Sequence, residues 1–214
     1  MDKFIITIDG PAGSGKSTIA KLLAKKNGFV HINSGAIYRA LAYVLDKNVD
    51  REKLANLNLE LSLKGNSIKV FCDGEDITDR LQSEAIGRVA SKIAQIGFVR
   101  DYVNKKVRDL TETGKFVIDG RDCGTVIFPY ADVKIFLVAD LKERARRRAF
   151  ETGENFDEVL RIIEKRDKED SERDIAPLIK PDDAYEVDTT GKSIEDVYNE
   201  IMGINRRVYD NRNS

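Results

Sequence analysis

Gly10-Pro-Ala-Gly-Ser-Gly-Lys-Ser17 is the stretch of this sequence with the clearest chemical content. It fits G-x-x-x-x-G-K-[ST], in which glycines bend the chain so that successive backbone N–H groups turn inward on one anion. The positive end of a following helix adds to those donors, and the combination suits the β-phosphate of a nucleotide. In that reading Lys16 bridges the β- and γ-phosphates and the Ser17 hydroxyl holds Mg²⁺. Gly10, Pro11, Ala12, Gly13, Ser14, Gly15, Lys16, Ser17 and Thr18 are therefore the nucleotide-binding candidates.

Such a loop needs a strand before it and a helix after it. Phe4, Ile5, Ile6 and Ile8 make a short β-branched run, the pattern of a parallel strand covered on both faces. Ile19, Leu22 and Leu23 follow at helical spacing, and Gly28 stands where a left-handed helix stop is cheap. Apolar runs at Phe29–Ile32, Lys115–Asp119, Val133–Val138 and Ala184–Asp188 alternate with helical periodicity. The pattern predicts an α/β fold built on a P-loop: three layers, αβα, around a five-stranded parallel sheet. A final helix is expected after Ser193, which with Asp196 forms a capping box.

Two stretches depart from this alternation. Leu59, Leu61 and Leu63 alternate with polar residues, Lys64-Gly65-Asn66 reads as a turn and Asp73-Gly74 as a hairpin signal, so residues 58–78 predict a small antiparallel insert. Helical periodicity returns over residues 79–113 and stops at Gly114, giving a β/helical lobe able to close over a second substrate. Residues 154–175 carry dense mixed charge and little apolar surface, the composition of a helical lid. The expected division is a core of residues 1–57 and 101–214 with the lid at about 150–180, and an insert at 58–100.

Charged residues just past the carboxyl end of a parallel strand lie at the crevice where open α/β sheets bind ligands, which makes Arg121 and Asp122 site candidates. An ion pair that merely caps the loop is the other reading. Arg39, near a predicted helix start, is unfavourable with the helix dipole and calls for an anionic partner, unless it is a solvated surface group. Arg144 and Arg148 are four apart and suit a clamp on one polyphosphate or a stack on a base, or else a solvated helix face. Asp188-Thr-Thr-Gly191 and Gly191-Lys192-Ser193 resemble GTPase and phosphate-loop fragments, but residue 186 is Glu rather than Gly and no N-K-x-D occurs.

Acidic and basic residues nearly cancel, 37 against 36, so no global field draws a nucleic acid polymer or an anionic membrane. Cys72 and Cys123 lie far apart and the chain has one histidine, which leaves no zinc or iron–sulfur ligand set. Short apolar runs exclude a membrane span, and with reduced thiols the expectation is a cytoplasmic protein and a monomer. The polar tail Asp210–Ser214 is expected to fray.

Taken in order, Ile8–Thr18, Ser34-Gly-Ala-Ile-Tyr-Arg39, Asp119-Gly-Arg-Asp-Cys-Gly-Thr-Val-Ile-Phe-Pro129, Lys134-Ile-Phe-Leu137, Arg166-Asp-Lys-Glu-Asp-Ser-Glu-Arg-Asp-Ile-Ala-Pro177 and Asp188–Gly191 resemble the bacterial cytidylate kinase family. The GRD-x-GT-x-x-FP and RD-x-x-D-x-x-R-x-x-AP blocks are far more specific than the phosphate loop. The resemblance implies a nucleoside monophosphate kinase that moves the γ-phosphoryl group of ATP, with Mg²⁺, to CMP or dCMP. It implies Ser34, Arg39 and Arg121 on the acceptor phosphate with Tyr38 beside them, and Ser91, Arg100 and Asp122 on the cytosine. Asp170 then takes the ribose hydroxyl, Arg166 and Arg173 lie near the sugar and phosphates, and Arg144 and Arg148 lie on the ATP side. Lys16, Arg121, Arg166 and Arg173 become the catalytic set. Asn33 stands where the family usually has Asp, and Cys123 where a larger apolar residue is expected.

Transfer between two phosphates needs no general base, since the attacking oxygen is already anionic, and catalysis reduces to alignment and charge neutralisation. A kinase for another small acceptor, AMP, UMP or shikimate, stays open at this point. So does a nucleotide-binding switch, although it leaves the 119–124 and 166–177 clusters unexplained.

Overall fold

The structure, a computed structural model, describes the backbone of residues 3–213 and the side chains of residues 3–208. β1 (Phe4–Asp9) buries its last five residues, as expected of a strand covered on both faces. The phosphate loop leads into α1 (Lys16–Asn27), which ends on Gly28 at φ 68°. β2 (Val30–Asn33) and α2 (Ser34–Leu45) follow, with the Asn33 side chain accepting from the Ala36 N–H as the helix cap. α3 (Arg51–Ala55) precedes the insert strands β3 (Leu59–Lys64), β4 (Ser67–Cys72) and β5 (Glu75–Asp76). The stretch read as one helical run is broken in two places. A 3₁₀ turn at Thr78–Gln82 ends at Ser83, whose hydroxyl caps α4 (Glu84–Ile93), and Ala94–Ile96 separates α4 from α5 (Gly97–Leu110).

β6 (Lys115–Asp119), a π-helical turn at Cys123–Ile127, β7 (Val133–Val138), α6 (Leu141–Thr152), α7 (Phe156–Glu172), β8 (Tyr185–Asp188) and α8 (Ile194–Asn213) complete the chain. The tail expected to fray from Asp210 is helical through Asn213, and Ser214 lies outside the described residues. No helix among the described residues is long and apolar enough to cross a membrane.

The sheet order is β3-β4-β2-β6-β1-β7-β8, with β5 paired to β4. From β2 to β8 every pairing is parallel, which gives the five-stranded sheet read from the sequence. The insert hairpin joins that sheet at its β2 edge through His31 opposite Ser67, with the His31 N–H donating to the Asn66 carbonyl at 2.9 Å. The Asn66 side chain also donates to the Phe29 carbonyl at 2.8 Å, so the turn of the hairpin is tied to the entry of β2.

Period-two alternation sends Phe116 and Ile118 to one face and Val117 to the other. One face packs Ile37 and Leu41 of α2 together with Leu59, Val70, Leu81 and Ile93, so the insert shares its core with β2 and α2. The opposite face packs Ile19 and Leu23 of α1 with Val197, Ile201 and Ile204 of α8. α6 and α7 have a third cluster, Ala145, Val159 and Ile163, closed by Ala12 of the phosphate loop. The charge density of residues 154–175 concealed that apolar stripe, which docks the arm on the loop it covers.

The turn after β6 is held from beneath. Asp9, the last residue of β1, accepts from the Cys123 N–H at 2.9 Å and the Gly124 N–H at 2.7 Å. Gly124 lies so close that an added Cβ would meet Thr7 Oγ1 at 2.9 Å. Burial pushes the Asp9 carboxyl up to about 6, against the pull of its two backbone donors. Asp9→Ala is expected to destabilise the fold by about 1–3 kcal/mol, the cost of leaving buried N–H groups unpaired, measured by denaturant unfolding. The raised value also fixes a sign. Between 3.8 and about 6 the folded protein binds more protons at Asp9 than the unfolded chain does. The stability of the native protein relative to Asp9→Asn should therefore fall as pH rises through that window, by about 2–3 kcal/mol, and level off above it.

Candidate active site

The carboxyl ends of all five parallel strands meet one cleft: the phosphate loop after β1, Asn33 and Ser34 after β2, Gly120–Asp122 after β6, Arg147 on the helix after β7, and Thr189 after β8. The cleft has a cavity of about 750 Å³. At its floor Gly10 (φ 146°), Gly13 (φ 75°) and Gly15 (φ 89°) take backbone conformations that L side chains rarely adopt. Gly10 is also a point of close approach, since an added Cβ would lie 2.1 Å from the Leu137 carbonyl oxygen of β7. Ala12 through Thr18 line the cleft, whereas Gly10 and Pro11 shape the loop from behind.

Lys16 is buried, and its ammonium donates to the Pro11 carbonyl at 2.5 Å and Ser14 Oγ at 3.3 Å. Burial, followed by the nearby charge of Arg121, holds it well below the ordinary lysine value. Ser17 Oγ donates to Asp119 Oδ2 at 2.6 Å, and the Asn33 amide donates to the same oxygen at 3.1 Å and to Ser17 Oγ at 3.0 Å. His31 Nε2 stands 2.5 Å from the other oxygen, Asp119 Oδ1. Burial opposes the charged form of Asp119, but the hydrogen bonds of His31 and Ser17 and the charge of Lys16 outweigh it and hold the carboxyl below its usual range.

This donor set fits Mg²⁺ shared with a nucleotide. One ionised carboxylate beside a hydroxyl is the protein share Mg²⁺ takes when phosphates and waters supply the rest. Among the described residues no group of three or more His, Cys, Asp or Glu could cage a metal alone. Asp119 is the residue sequence reasoning missed here, although its place at the end of a parallel strand is the signal that flagged Arg121.

The facing wall carries the remaining candidates. Arg39 donates to the Leu81 and Ser83 carbonyls at 2.9 Å each, and Glu84 supplies the nearby negative charge expected from its place in α2. Arg121 Nε donates to Asp170 at 2.8 Å, and Arg173 lies 3.6 Å from Asp170 and 3.7 Å from Asp122. Arg100 pairs with Asp122, donates to the Ala94 carbonyl at 2.7 Å and lies over the Tyr38 ring. Arg121 and Asp122 pair with residues of other elements, Asp170 and Arg100, rather than with each other across the loop, and both line the cleft. Burial, then the charge of Arg121, lowers Arg166 to about 10. Tyr38 Oη, Arg100 Nε, Arg166 Nε and Arg173 Nη2 are buried polar atoms with no hydrogen-bond partner in the protein. Ser34 and Ser91 also line this side, and Ser34 Oγ donates to the Asp119 carbonyl at 3.0 Å.

Two arginines differ from the sequence expectation. Arg144 does not line the cleft: it is buried, donates to the Ala139 and Ala12 carbonyls at 2.9 and 3.0 Å, and meets Asp167 of α7 at 2.5 Å. Asp167 also accepts from the Ala12 N–H at 3.3 Å, so this pair fastens α7 to the phosphate loop. Arg148 reaches across the cleft mouth to Glu84 at the start of α4. Arg147 lines the cleft with Arg148, and it donates to Thr189 Oγ1 at 3.0 Å and the Thr189 carbonyl at 2.6 Å. Cys123 is fully buried, and burial followed by the charge of Asp9 raises its thiol well above the ordinary value, so it packs rather than reacts.

The family description "Cytidylate kinase" matches residues 6–207. A cytidylate kinase of Fusobacterium nucleatum is 44% identical over 212 residues, covering 94% of this chain and 96% of that protein. One from Bacillus subtilis is 43% identical, covering 94% and 95%. Among solved structures, TT1252 from Thermus thermophilus superposes with a TM-score of 0.54 at 20% identity, over 97% of this chain and 98% of that one. A gluconokinase from Sinorhizobium meliloti gives 0.52 at 14% identity, over 97% and 95%. These last two are likenesses of fold.

An anion entering the loop favours the Lys16 ammonium, so it must raise the lowered Lys16 value. ADP binding is expected to take up protons where the free protein's Lys16 has lost its own, and to weaken as pH rises through the lowered value of the free protein. Calorimetry in two buffers of different ionisation enthalpy measures the uptake. Lys16→Arg, with a fixed charge, should abolish it, and equal uptake in that variant would contradict the assignment.

Proposed function

The chain belongs to the cytidylate kinase family, and from that premise we propose that it transfers the γ-phosphoryl group of ATP to CMP or dCMP, giving ADP and CDP or dCDP. The observation that carries the reading is the cleft itself, in which a phosphate-gripping loop faces a wall of arginines inside one cavity. Two phosphorylated ligands fit that arrangement head to head.

On the donor side the amides of Ala12–Thr18 take the β-phosphate, Lys16 reaches to the γ-phosphate, and Arg147, Thr189 and Lys192 form the wall behind the nucleotide. On the acceptor side Arg39, Arg121, Arg166 and Arg173 converge on the monophosphate and the transferring group. Arg166 Nε and Arg173 Nη2, buried and without a hydrogen-bond partner in the protein, supply donors for it. Tyr38, Ser91, Arg100 and Asp122 face the base, and Asp170 the sugar. Mg²⁺, held by Ser17 and Asp119 when the nucleotide is bound, neutralises charge on the phosphates.

The chain's own work is alignment and charge. The acceptor phosphate is anionic at neutral pH and needs no base to attack. Charge gathers on the equatorial oxygens of the transferring group, where the donors of Lys16, Arg121, Arg166 and Arg173 are already set. Closure of the arm formed by residues of about 150–180 over the insert lobe at 58–100 would exclude water and prevent wasteful hydrolysis.

A coupled assay of ADP formation with CMP, dCMP, UMP and AMP tests the acceptor, and CMP and dCMP are expected to give the highest kcat/KM. ADP production that ignores the monophosphate would instead indicate a slow nucleotide hydrolase. Lys16→Ala and Arg121→Ala should each lower CMP-dependent turnover by about a hundredfold to a thousandfold. Circular dichroism should be unchanged in both, and near-normal turnover in either variant refutes its assigned role.

A further inference from the structure

The one histidine of the chain lies outside every role given above, yet it is buried against the carboxylate beside Ser17. His31 and Asn33 are two apart on β2 and so share a face, and the parallel register sets Asn33 opposite Asp119. Both side chains thereby converge on Asp119, one on each oxygen. An ionised carboxylate only accepts, so Nε2 carries the proton of this contact. With Oδ1 committed to the imidazole, the carboxylate cannot turn, and Oδ2 stays aimed at Ser17 Oγ.

We propose that His31 is a positioning residue for phosphoryl transfer: it holds Asp119 in the orientation that lets Asp119 and Ser17 share Mg²⁺ with the nucleotide. The proposal rests on the reading of Ser17 and Asp119 as the metal side of the cleft. A satisfied core histidine with no further consequence is the competing account. Against it stands the place of His31 in the fold. It is the β2 residue registered against the insert hairpin, opposite Ser67, and its backbone N–H donates to the Asn66 carbonyl, so the same residue meets the insert edge and the metal-side carboxylate. Partners that orient a ligating group typically cost 10–100-fold in metal affinity or activity when lost.

Because the sequence holds one histidine, a ¹⁵N-imidazole NMR spectrum of the native protein reports His31 without assignment by mutation. Mg²⁺ added to the ADP-saturated protein is expected to shift the Nε2–H signal beyond the change caused by ADP alone. Mn²⁺ in its place should broaden that signal. His31→Leu should lower Mn²⁺ affinity of the ADP-loaded protein, read by electron paramagnetic resonance, and kcat by about 10–100-fold, leaving the KM for CMP unchanged. His31→Gln, which keeps an N–H near the same point, should recover most of both. A ring signal indifferent to Mg²⁺, or a glutamine variant as impaired as the leucine variant, overturns the proposal. If the leucine variant does not fold, the native spectrum and the glutamine variant decide. If Mn²⁺ does not bind the ADP-loaded native protein at all, the metal reading of Ser17 and Asp119 fails, and the role of His31 with it.

Discussion

Cationic groups crowded into one half-buried cleft repel each other, and the rest of this structure is arranged around that repulsion. Lys16 and Arg166 both sit below their ordinary values through burial and the charge of Arg121. Such a cluster persists only where carboxylates offset it, and the four here come from three elements: Asp119 from the end of β6, Asp122 from the turn beyond it, Asp167 and Asp170 from α7. The offset is partial by construction. Arg166 and Arg173 keep buried nitrogens without hydrogen-bond partners in the protein, so the cleft retains donors for a ligand that carries negative charge of its own.

The sheet supplies the rigidity that this arrangement demands. Strands buried on both faces fix where their carboxyl ends stand, and the loops that follow are short enough to inherit that precision. Asp9 illustrates the economy of the design. It ends the strand that opens the phosphate loop, and the same side chain holds the turn that carries Arg121 and Asp122. The phosphate loop and the turn bearing Arg121 therefore share a structural anchor as well as a cavity.

Much of this was legible in the chain. Glycine spacing at 10–15 forced the loop, and apolar runs of fixed length forced five parallel strands, because both are local consequences of backbone sterics and burial. What escaped depends on contacts distant in sequence. The hairpin joins the sheet through one bridge between His31 and Ser67, which no local pattern announces. In α6 the i, i+4 rule placed Arg144 and Arg148 together, but the roll of that helix is set by Ala145 packing against Val159, Ile163 and Ala12. That roll buries Arg144 under the loop and turns Arg147 toward the cleft. Asp119 was hidden for a different reason, since a carboxylate inside an apolar strand acquires its meaning only from the hydroxyl, amide and imidazole that surround it.

The bridge from Arg148 to Glu84 joins the arm to the insert at the mouth of the cleft, and both side chains are about one-third exposed. Contacts of that kind contribute about 1 kcal/mol or less in water. The doorway is consequently fastened by its weakest class of interaction while the floor is welded by buried ones. Thermal agitation alone can work such a catch, whereas the buried pairs that tie α7 to the floor hold far more firmly.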